Sequence, residues 1–236
     1  MKIGFGTGDF YRINTTSSER FSKEFINHFK AGQANAIELA CIDESLIDHL
    51  IRSDDVDLSA FKYVSIHTPD PDQNIDPKTL LKKLAIIHKK FNIQNVVFHA
   101  DSPMDWNILK KYPDLPISIE NMDITKDFGK TIEEINSILS EYDFKLNLDL
   151  QHCFTNDESM NLALEFQKEF KGRIAEYHIS GFEEKLFHYP LFKTRQDQII
   201  HSLQNTNIPI IIESTFDEIG EHEKEIAYIK NTIKNH

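Results

Sequence analysis

Six short apolar runs in this chain each end on a histidine or an acidic residue, which are side chains that can bind a metal ion. The residues at these ends are His67, His99, Glu120, Asp149, His178 and Glu213. Their spacing of roughly 20 to 35 residues is the length of one strand–helix unit. A polar group at the end of a buried strand is costly unless something pairs with it. Six in series therefore predict parallel, neighbouring strands whose ends meet at one polar site.

The last four of these residues form a chemically consistent set of metal ligands. Glu120, Asp149, His178 and Glu213 supply three carboxylates and one imidazole. This combination suits one hard or borderline divalent cation, such as Mn, Zn, Co or Mg. Without a cation, the three neighbouring carboxylates would raise each other's pKa values. Any one of them alone could instead anchor a loop, but the matching positions of all four favour a metal site.

Four histidines near the same predicted edge are candidates for binding substrate. His67 and His99 end consecutive runs and either face substrate or together hold a second metal ion, such as a further zinc. His152 follows the aspartate closely enough to reach the site, where it would contact substrate or bind metal. His188 lies in the loop after the next run and is either a substrate contact or a surface residue. Glu38, an isolated acid in an apolar run, is expected to lie low in the site or to bond an inner lysine or histidine.

The apolar runs alternate regularly with segments of helical spacing. Strands are predicted at residues 2–6, 36–40, 63–67, 95–99, 116–120, 145–149, 174–179 and 208–213. Helices are predicted at residues 18–31, 44–51, 77–90, 106–110, 131–141, 157–170, 196–203 and 221–234. The strands are continuously apolar, as expected of a parallel sheet that helices cover on its exposed face. Alternation over this length predicts a single α/β domain, 1–236, with the (β/α)8 architecture of a TIM barrel.

An open, doubly wound sheet is the main alternative fold. Such a sheet normally carries a glycine-rich phosphate loop of the GxGxxG type after its first strand. The segment Gly4-Phe5-Gly6-Thr7-Gly8 is rich in glycine but does not match that pattern. A closed barrel also brings the ends of six strands together more readily than a flat sheet does.

Composition restricts the classes of partner. The chain has 236 residues and a formal net charge of −12, so nucleic acid is a disfavoured partner. It contains no apolar run long enough to span a membrane and no recognisable signal peptide. Cys41 and Cys153 are its only cysteines and have no CxxC spacing, which favours a cytoplasmic location. The oligomeric state stays open, and a homo-oligomer is compatible with the sequence.

Taken in order, the motifs resemble those of the xylose isomerase-like TIM barrel superfamily, which includes sugar phosphate isomerases and epimerases, inosose dehydratases and endonuclease IV. The resemblance extends over essentially the whole chain. It rests on Ser65-Ile66-His67, Val97-Phe98-His99, Ile119-Glu120-Asn121, Leu148-Asp149-Leu150-Gln151-His152, His178-Ile179-Ser180 and Ile212-Glu213-Ser214. These short motifs are specific as an ordered set for the superfamily, but not for one activity within it.

The resemblance implies different roles in two branches. In the epimerase branch, Glu120, Asp149, His178 and Glu213 would bind one divalent metal, the two glutamates would act as the acid–base pair, and His152 would touch substrate. In the endonuclease IV branch, His67, His99 and His188 would join them around three zinc ions. That branch has an aspartate two residues before the last histidine, where this chain has Leu186.

Three functions follow as hypotheses. The first is a metal-dependent isomerase or epimerase, or a related dehydratase, that acts on a small sugar or polyol with Glu120 and Glu213 as catalytic residues. The second is a metal-dependent phosphodiester hydrolase of the endonuclease IV kind. The third is a barrel that binds metal and sugar without catalysis.

Overall fold

The continuous apolar runs form the strands of a closed barrel. The structure is a computed structural model that describes residues 1–13, 16–69, 75–102, 104–183 and 186–235. Within these ranges the barrel strands are β1 (Ile3–Gly6), β2 (Ala36–Ala40), β3 (Tyr63–His67), β4 (Asn95–His99), β5 (Ile117–Glu120), β6 (Lys145–Asp149) and β7 (Ile174–Ile179), with two hairpin strands, β8 (Gly181–Glu183) and β9 (Leu186–Tyr189), preceding the last barrel strand, β10 (Ile210–Ile212).

The order around the barrel is β1-β10-β7-β6-β5-β4-β3-β2. Each neighbouring pair is parallel. Eight parallel strands surrounded by helices confirm the predicted TIM barrel. Because β5, β6, β7 and β10 are consecutive neighbours, the four predicted metal ligands come from adjacent positions on one side of the ring.

Helices connect the strands on the outside of the barrel. They are α1 (Lys23–Ala31), α2 (Glu44–Arg52), α3 (Pro77–Phe91), α4 (Ile132–Leu139), α5 (Leu150–Asn156), α6 (Asn161–Glu169), α7 (Leu191–Thr194), α8 (Asp197–His201) and α9 (Glu221–Lys234), with 3-10 helices at Ser17–Phe21 and Trp106–Lys111. Among the residues that the structure describes, no helix is both long and apolar enough to cross a membrane.

Several helical segments differ from the sequence prediction: α7 was not predicted, and the helix predicted at 106–110 is a 3-10 helix at Trp106–Lys111. The helix predicted at 18–31 is divided, because the Ser22 side chain accepts a hydrogen bond from the backbone N–H of Phe25 and caps a new helix there. Helix α5 was not predicted. It begins directly after β6, because the Asp149 side chain accepts a 2.7 Å hydrogen bond from the backbone N–H of His152. The same carboxylate therefore ends a strand and starts a helix.

Alternate residues of each strand face the helices or the barrel interior. On the outer side, Phe5 stacks on Phe29 of α1, with ring centroids 5.2 Å apart. The interior positions of TIM barrels are usually filled by bulky apolar residues. Here several of them are polar and buried, namely Glu38, Ser65, Asn95, Ser118, Asn147 and Glu176. The interior beneath the strand ends is therefore polar.

Gly4 permits an unusually close approach of β1 to β2. A Cβ atom at this position would lie 1.6 Å from the backbone oxygen of Ala36. We expect Gly4→Ala to lower the free energy of unfolding by about 3 kcal/mol, the upper part of the usual range for overpacking. Urea denaturation measures this loss. The milder Ile3→Val in the same strand is the control, at about 1 kcal/mol. Wild-type stability of Gly4→Ala would mean that the two strands lie further apart.

Candidate active site

The four predicted metal ligands converge at the carboxyl end of the barrel. Glu120, Asp149, His178 and Glu213 each offer one ligand atom, and these atoms all lie within 4.8 Å of one another. The Nδ1 atom of His178 is 3.2 Å from Oε1 of Glu120 and 3.1 Å from Oε1 of Glu213. Strands β5 and β6 end on Glu120 and Asp149, His178 is the penultimate residue of β7, and Glu213 directly follows β10. The parallel register thus brings together residues that are far apart in the chain.

This set fits a divalent cation. Nδ1 of His178 and Oδ2 of Asp149 are buried and have no hydrogen-bond partner among the described residues. Burial raises the pKa of the Asp149 carboxyl, because its charge is poorly solvated there. Burial also opposes ionisation of Glu120 and Glu213, but the facing His178 outweighs it and lowers both of their pKa values. An inward-facing imidazole nitrogen among three carboxylates is a donor set that suits Mn, Co, Zn or Mg.

His67 and His99 form a second group that shares Glu120. Oε2 of Glu120 lies 3.0 Å from Nε2 of His67 and 3.6 Å from Nε2 of His99. Burial disfavours the charged form of His67, but the pairing with Glu120 outweighs it and raises the His67 pKa to about 10. Burial and then the neighbouring charge on His67 lower the pKa of His99 to about 3. Ligand atoms of all three residues lie within 4.8 Å of one another, so this group has the geometry for metal or for substrate.

His152 and His188 face each other across the site. Their ring centroids are 5.8 Å apart. Nδ1 of His152 donates a 2.8 Å hydrogen bond to the backbone oxygen of Asn121, which leaves Nε2 as the nitrogen nearer Asp149. Nδ1 of His188 lies 3.7 Å from Oε2 of Glu213 and 3.1 Å from Oγ of Ser180.

One cavity connects these residues with solvent. It has a volume of about 420 Å³, within the range of small-molecule sites. The predicted catalytic and substrate-binding residues that line it are His67, His99, Glu120, His152, His188 and Glu213. Asp149 and His178 are fully buried and lie behind this surface. The structure therefore brings all eight predicted site residues to one place.

Comparisons with known proteins give structural similarity only. No protein-family model matches the chain, and no curated protein matches it. Among solved structures, 3-keto-D-glucoside 4-epimerase from E. coli is 14% identical over 98% of this chain and 99% of its own, with a TM-score of 0.59. Endonuclease IV from Thermus thermophilus is 12% identical over 90% and 94%, with a TM-score of 0.63. A sugar phosphate isomerase/epimerase from Parabacteroides distasonis is 14% identical over 96% and 92%, with a TM-score of 0.58.

The chain shares the (β/α)8 barrel fold of these proteins. This result confirms the fold that the strand-end motifs implied. Because epimerases and an endonuclease share the fold at similarly low identity, the fold alone does not choose between their activities.

Two acidic residues of this barrel join the site without having been predicted. Asp9 lines the cavity in the loop after β1, is only 5% exposed, and has an Oδ2 atom without a hydrogen-bond partner among the described residues. Glu176 lies two residues before His178, and its Oε1 is 3.2 Å from His178 Nε2. The period-two spacing of a strand could have placed Glu176 on the inner face, whereas nothing in the sequence marks Asp9.

Glu38 was expected to lie low in the site or to bond an inner lysine or histidine, and its partner is a histidine. Its Oε2 lies 3.3 Å from Nε2 of His178, and it also belongs to the floor of the cavity. Burial raises the Glu38 pKa to about 7. Asp123 and Lys126 line the mouth of the same cavity, and Nζ of Lys126 lies 3.7 Å from Oδ2 of Asp101. Carboxylates thus outnumber cationic side chains along this wall.

Proposed function

We propose that the protein is a divalent-metal-dependent isomerase or epimerase, or a related dehydratase, that acts on a small sugar or polyol. The observation that carries this proposal is the convergence of Glu120, Asp149, His178 and Glu213 at the floor of a solvent-connected cavity. These four residues would hold the cation. When bound, the cation supplies Lewis-acid polarisation of a substrate carbonyl.

Proton transfer is assigned to the two glutamates. Glu120 and Glu213 both line the cavity, and both approach the same nitrogen of His178. One of them removes the proton from the carbon next to the carbonyl, and the other returns a proton to the product. His67, His99, His152 and His188 surround the substrate space and can hydrogen bond to its hydroxyl groups.

The charge of the cavity supports an uncharged substrate. Asp9, Glu38, Glu120, Asp123 and Glu213 contribute to its wall, and the ammonium of Lys126 is close to Asp101. Lys126 is the only lysine or arginine among the described residues of this wall, and Asp101 lies beside it, so the wall offers little cationic binding for a phosphate ester. The proposed substrate class is therefore a neutral ketose, inositol derivative or related polyol.

One combined experiment tests the proposal. Purified protein is analysed for bound metal and is then incubated in D2O with a panel of ketoses and inositol derivatives. We expect metal-dependent incorporation of deuterium at a carbon next to a carbonyl. Sugar binding without any deuterium incorporation would instead support the non-catalytic metal- and sugar-binding barrel.

An endonuclease IV-like phosphodiester hydrolase is the second candidate. The group of His67, His99 and Glu120 supports it, because it offers room for a further zinc ion beside the first site. Leu186 and the net charge of −12 oppose it, since one ligand type is replaced and DNA phosphates are repelled.

Two measurements separate the two candidates: the number of bound metal ions and the cleavage of DNA. We expect one tightly bound equivalent of metal and negligible affinity for a duplex with an abasic site at moderate salt. Elemental analysis and a gel-shift assay measure these quantities, with the same duplex lacking the abasic site as the control. Two or three zinc equivalents together with cleavage of the abasic duplex would favour the hydrolase.

A further inference from the structure

The second ring nitrogen of His178 points away from the candidate metal site. Its Nε2 lies 3.2 Å from Oε1 of Glu176 and 3.3 Å from Oε2 of Glu38. The three side chains are at most 1% exposed. One imidazole thus lies between two sets of carboxylates, the proposed metal ligands on its Nδ1 side and a deeper pair on its Nε2 side.

Neighbouring polar groups also hold the carboxylates of the deeper pair, Glu38 and Glu176, in place. Oγ of Ser65 donates a 3.3 Å hydrogen bond to Oε2 of Glu38. Nδ2 of Asn95 donates a 3.4 Å hydrogen bond to Oε1 of Glu176 across the barrel interior. The oxygens that approach His178 are therefore oriented by groups on strands β3 and β4. This arrangement restrains both carboxylates toward the imidazole.

A cation at the proposed site would decide the ring tautomer. A neutral imidazole carries one N–H, and its other nitrogen has a free lone pair. Carboxylates face both ring nitrogens, but a cation held by Glu120 and Glu213 would take the lone pair of Nδ1, and the N–H would then lie on Nε2, where Glu38 and Glu176 accept it. Nδ1 is the nitrogen that lies 3.1 Å from Glu213 and 3.2 Å from Glu120, without a hydrogen-bond partner among the described residues. Histidines that bind metals usually donate their other N–H to a carboxylate in this way.

We propose that Glu38 and Glu176 are positioning residues that hold His178 with Nε2 protonated and Nδ1 directed at the metal site, and that they thereby increase its affinity for metal. This inference rests on the proposed metal site. Neither glutamate needs to bind the cation, since both act through the imidazole.

A second metal ion is the competing explanation. Ligand atoms of Glu38, Glu176 and His178 lie within 4.8 Å of one another and could surround an ion of their own. With a cation on each side, His178 would have to lose its remaining N–H proton. A single Nε2–H group that donates to Glu38 and Glu176 explains both short contacts and keeps the proton. The observations therefore favour positioning residues over a second metal ion.

Metal titration of the full chain distinguishes these explanations. Calorimetric titration with Mn²⁺ gives the dissociation constant and the stoichiometry for wild type, Glu176→Gln and Glu38→Gln. We expect each variant to bind Mn²⁺ about 10- to 100-fold more weakly, which is the usual effect of removing such an outer carboxylate, with unchanged stoichiometry. Ser118→Ala is the matched control, because Ser118 is also buried in the barrel interior but its Oγ has no hydrogen-bond partner among the described residues.

Two further measurements separate positioning from a general structural role. Thermal unfolding of the metal-free variants should match wild type, since a merely structural role would lower the unfolding temperature without metal. The ¹⁵N chemical shifts of His178 in the Zn²⁺-loaded protein should show a protonated Nε2. If Glu176→Gln does not fold, Glu38→Gln carries the test, because its contact with Nε2 is separate.

Each outcome has a defined meaning. Wild-type affinity in both glutamine variants, or a protonated Nδ1, would overturn the inference. Loss of one full equivalent of Mn²⁺ in Glu176→Gln would overturn it in favour of a second ion. The Asp149→Asn variant distinguishes failure of this inference from failure of the proposed function. If wild type binds Mn²⁺ and Asp149→Asn does not, the metal site stands whatever the glutamine variants show. If wild type does not bind Mn²⁺, the proposed function fails too.

Discussion

Replacing Glu213 with glutamine should lower the rate of hydrogen exchange into substrate about 100- to 10,000-fold, the usual contribution of a positioned acid or base. Glu213 lines the cavity and is 19% exposed as a side chain, so it can meet substrate directly. Glutamine keeps the size of the side chain but cannot accept a proton at physiological pH. The measurement is deuterium incorporation, observed by NMR, with the substrate that the screen identifies.

The matched control is Glu218→Gln, which removes an exposed carboxylate from the segment after β10. Its exchange rate should equal that of wild type. Metal content is measured in parallel, because Glu213 also belongs to the proposed ligand set and the variant should bind metal more weakly. Full activity together with unchanged metal content in Glu213→Gln would remove this residue from the site.

Loading the protein with metal should raise its midpoint of thermal unfolding by about 8–16 °C. A ligand that binds only the folded state at 1,000 times its dissociation constant stabilises that state by about 4 kcal/mol. For a protein of this size, each 1 kcal/mol corresponds to about 2–4 °C. Asp149→Asn should abolish this shift, since it removes a buried anionic ligand atom. Differential scanning calorimetry with and without Mn²⁺ measures the effect.

Asparagine is the suitable replacement for Asp149, because it removes the negative charge proposed to bind metal and leaves the role of Asp149 as a helix cap unchanged. Its side-chain oxygen can still accept the hydrogen bond from His152 N–H, so helix α5 keeps its cap. The exposed Asp114→Asn serves as the control for loss of one negative charge. A metal-dependent shift in Asp149→Asn as large as in wild type would show that the cation binds elsewhere.

The barrel could be predicted because its strands carry a simple signal. Parallel strands covered by helices read as short, continuous apolar runs, and β2, β3, β4, β6 and β7 have the predicted bounds. The polar residue at the end of each run then marks the carboxyl edge of the sheet. Since the barrel strands are all parallel, they share one carboxyl edge, and the convergence of Glu120, Asp149 and His178 follows from that edge alone.

Other features could not be predicted, because their local signals are ambiguous or their determinants are distant in the chain. Helix α5 depends on one residue, Asp149, whose role as a cap competes with its position at a strand end. Hairpin β8–β9 lacks the alternating apolar pattern of a typical hairpin and forms a two-stranded sheet separate from the barrel. Asp9 reaches the cavity through a loop whose course depends on contacts such as Phe216 N–H to the Asp9 backbone oxygen. Local sequence carries little record of such contacts.

Asp149 is held in place by hydrogen bonds that do not involve any cation. Its carboxylate accepts from His152 N–H, its backbone N–H donates 2.7 Å to Oδ1 of Asn121, and its backbone oxygen accepts from Nδ2 of the same asparagine. The protein itself therefore orients this ligand, and removing and restoring the cation should leave Asp149 in place.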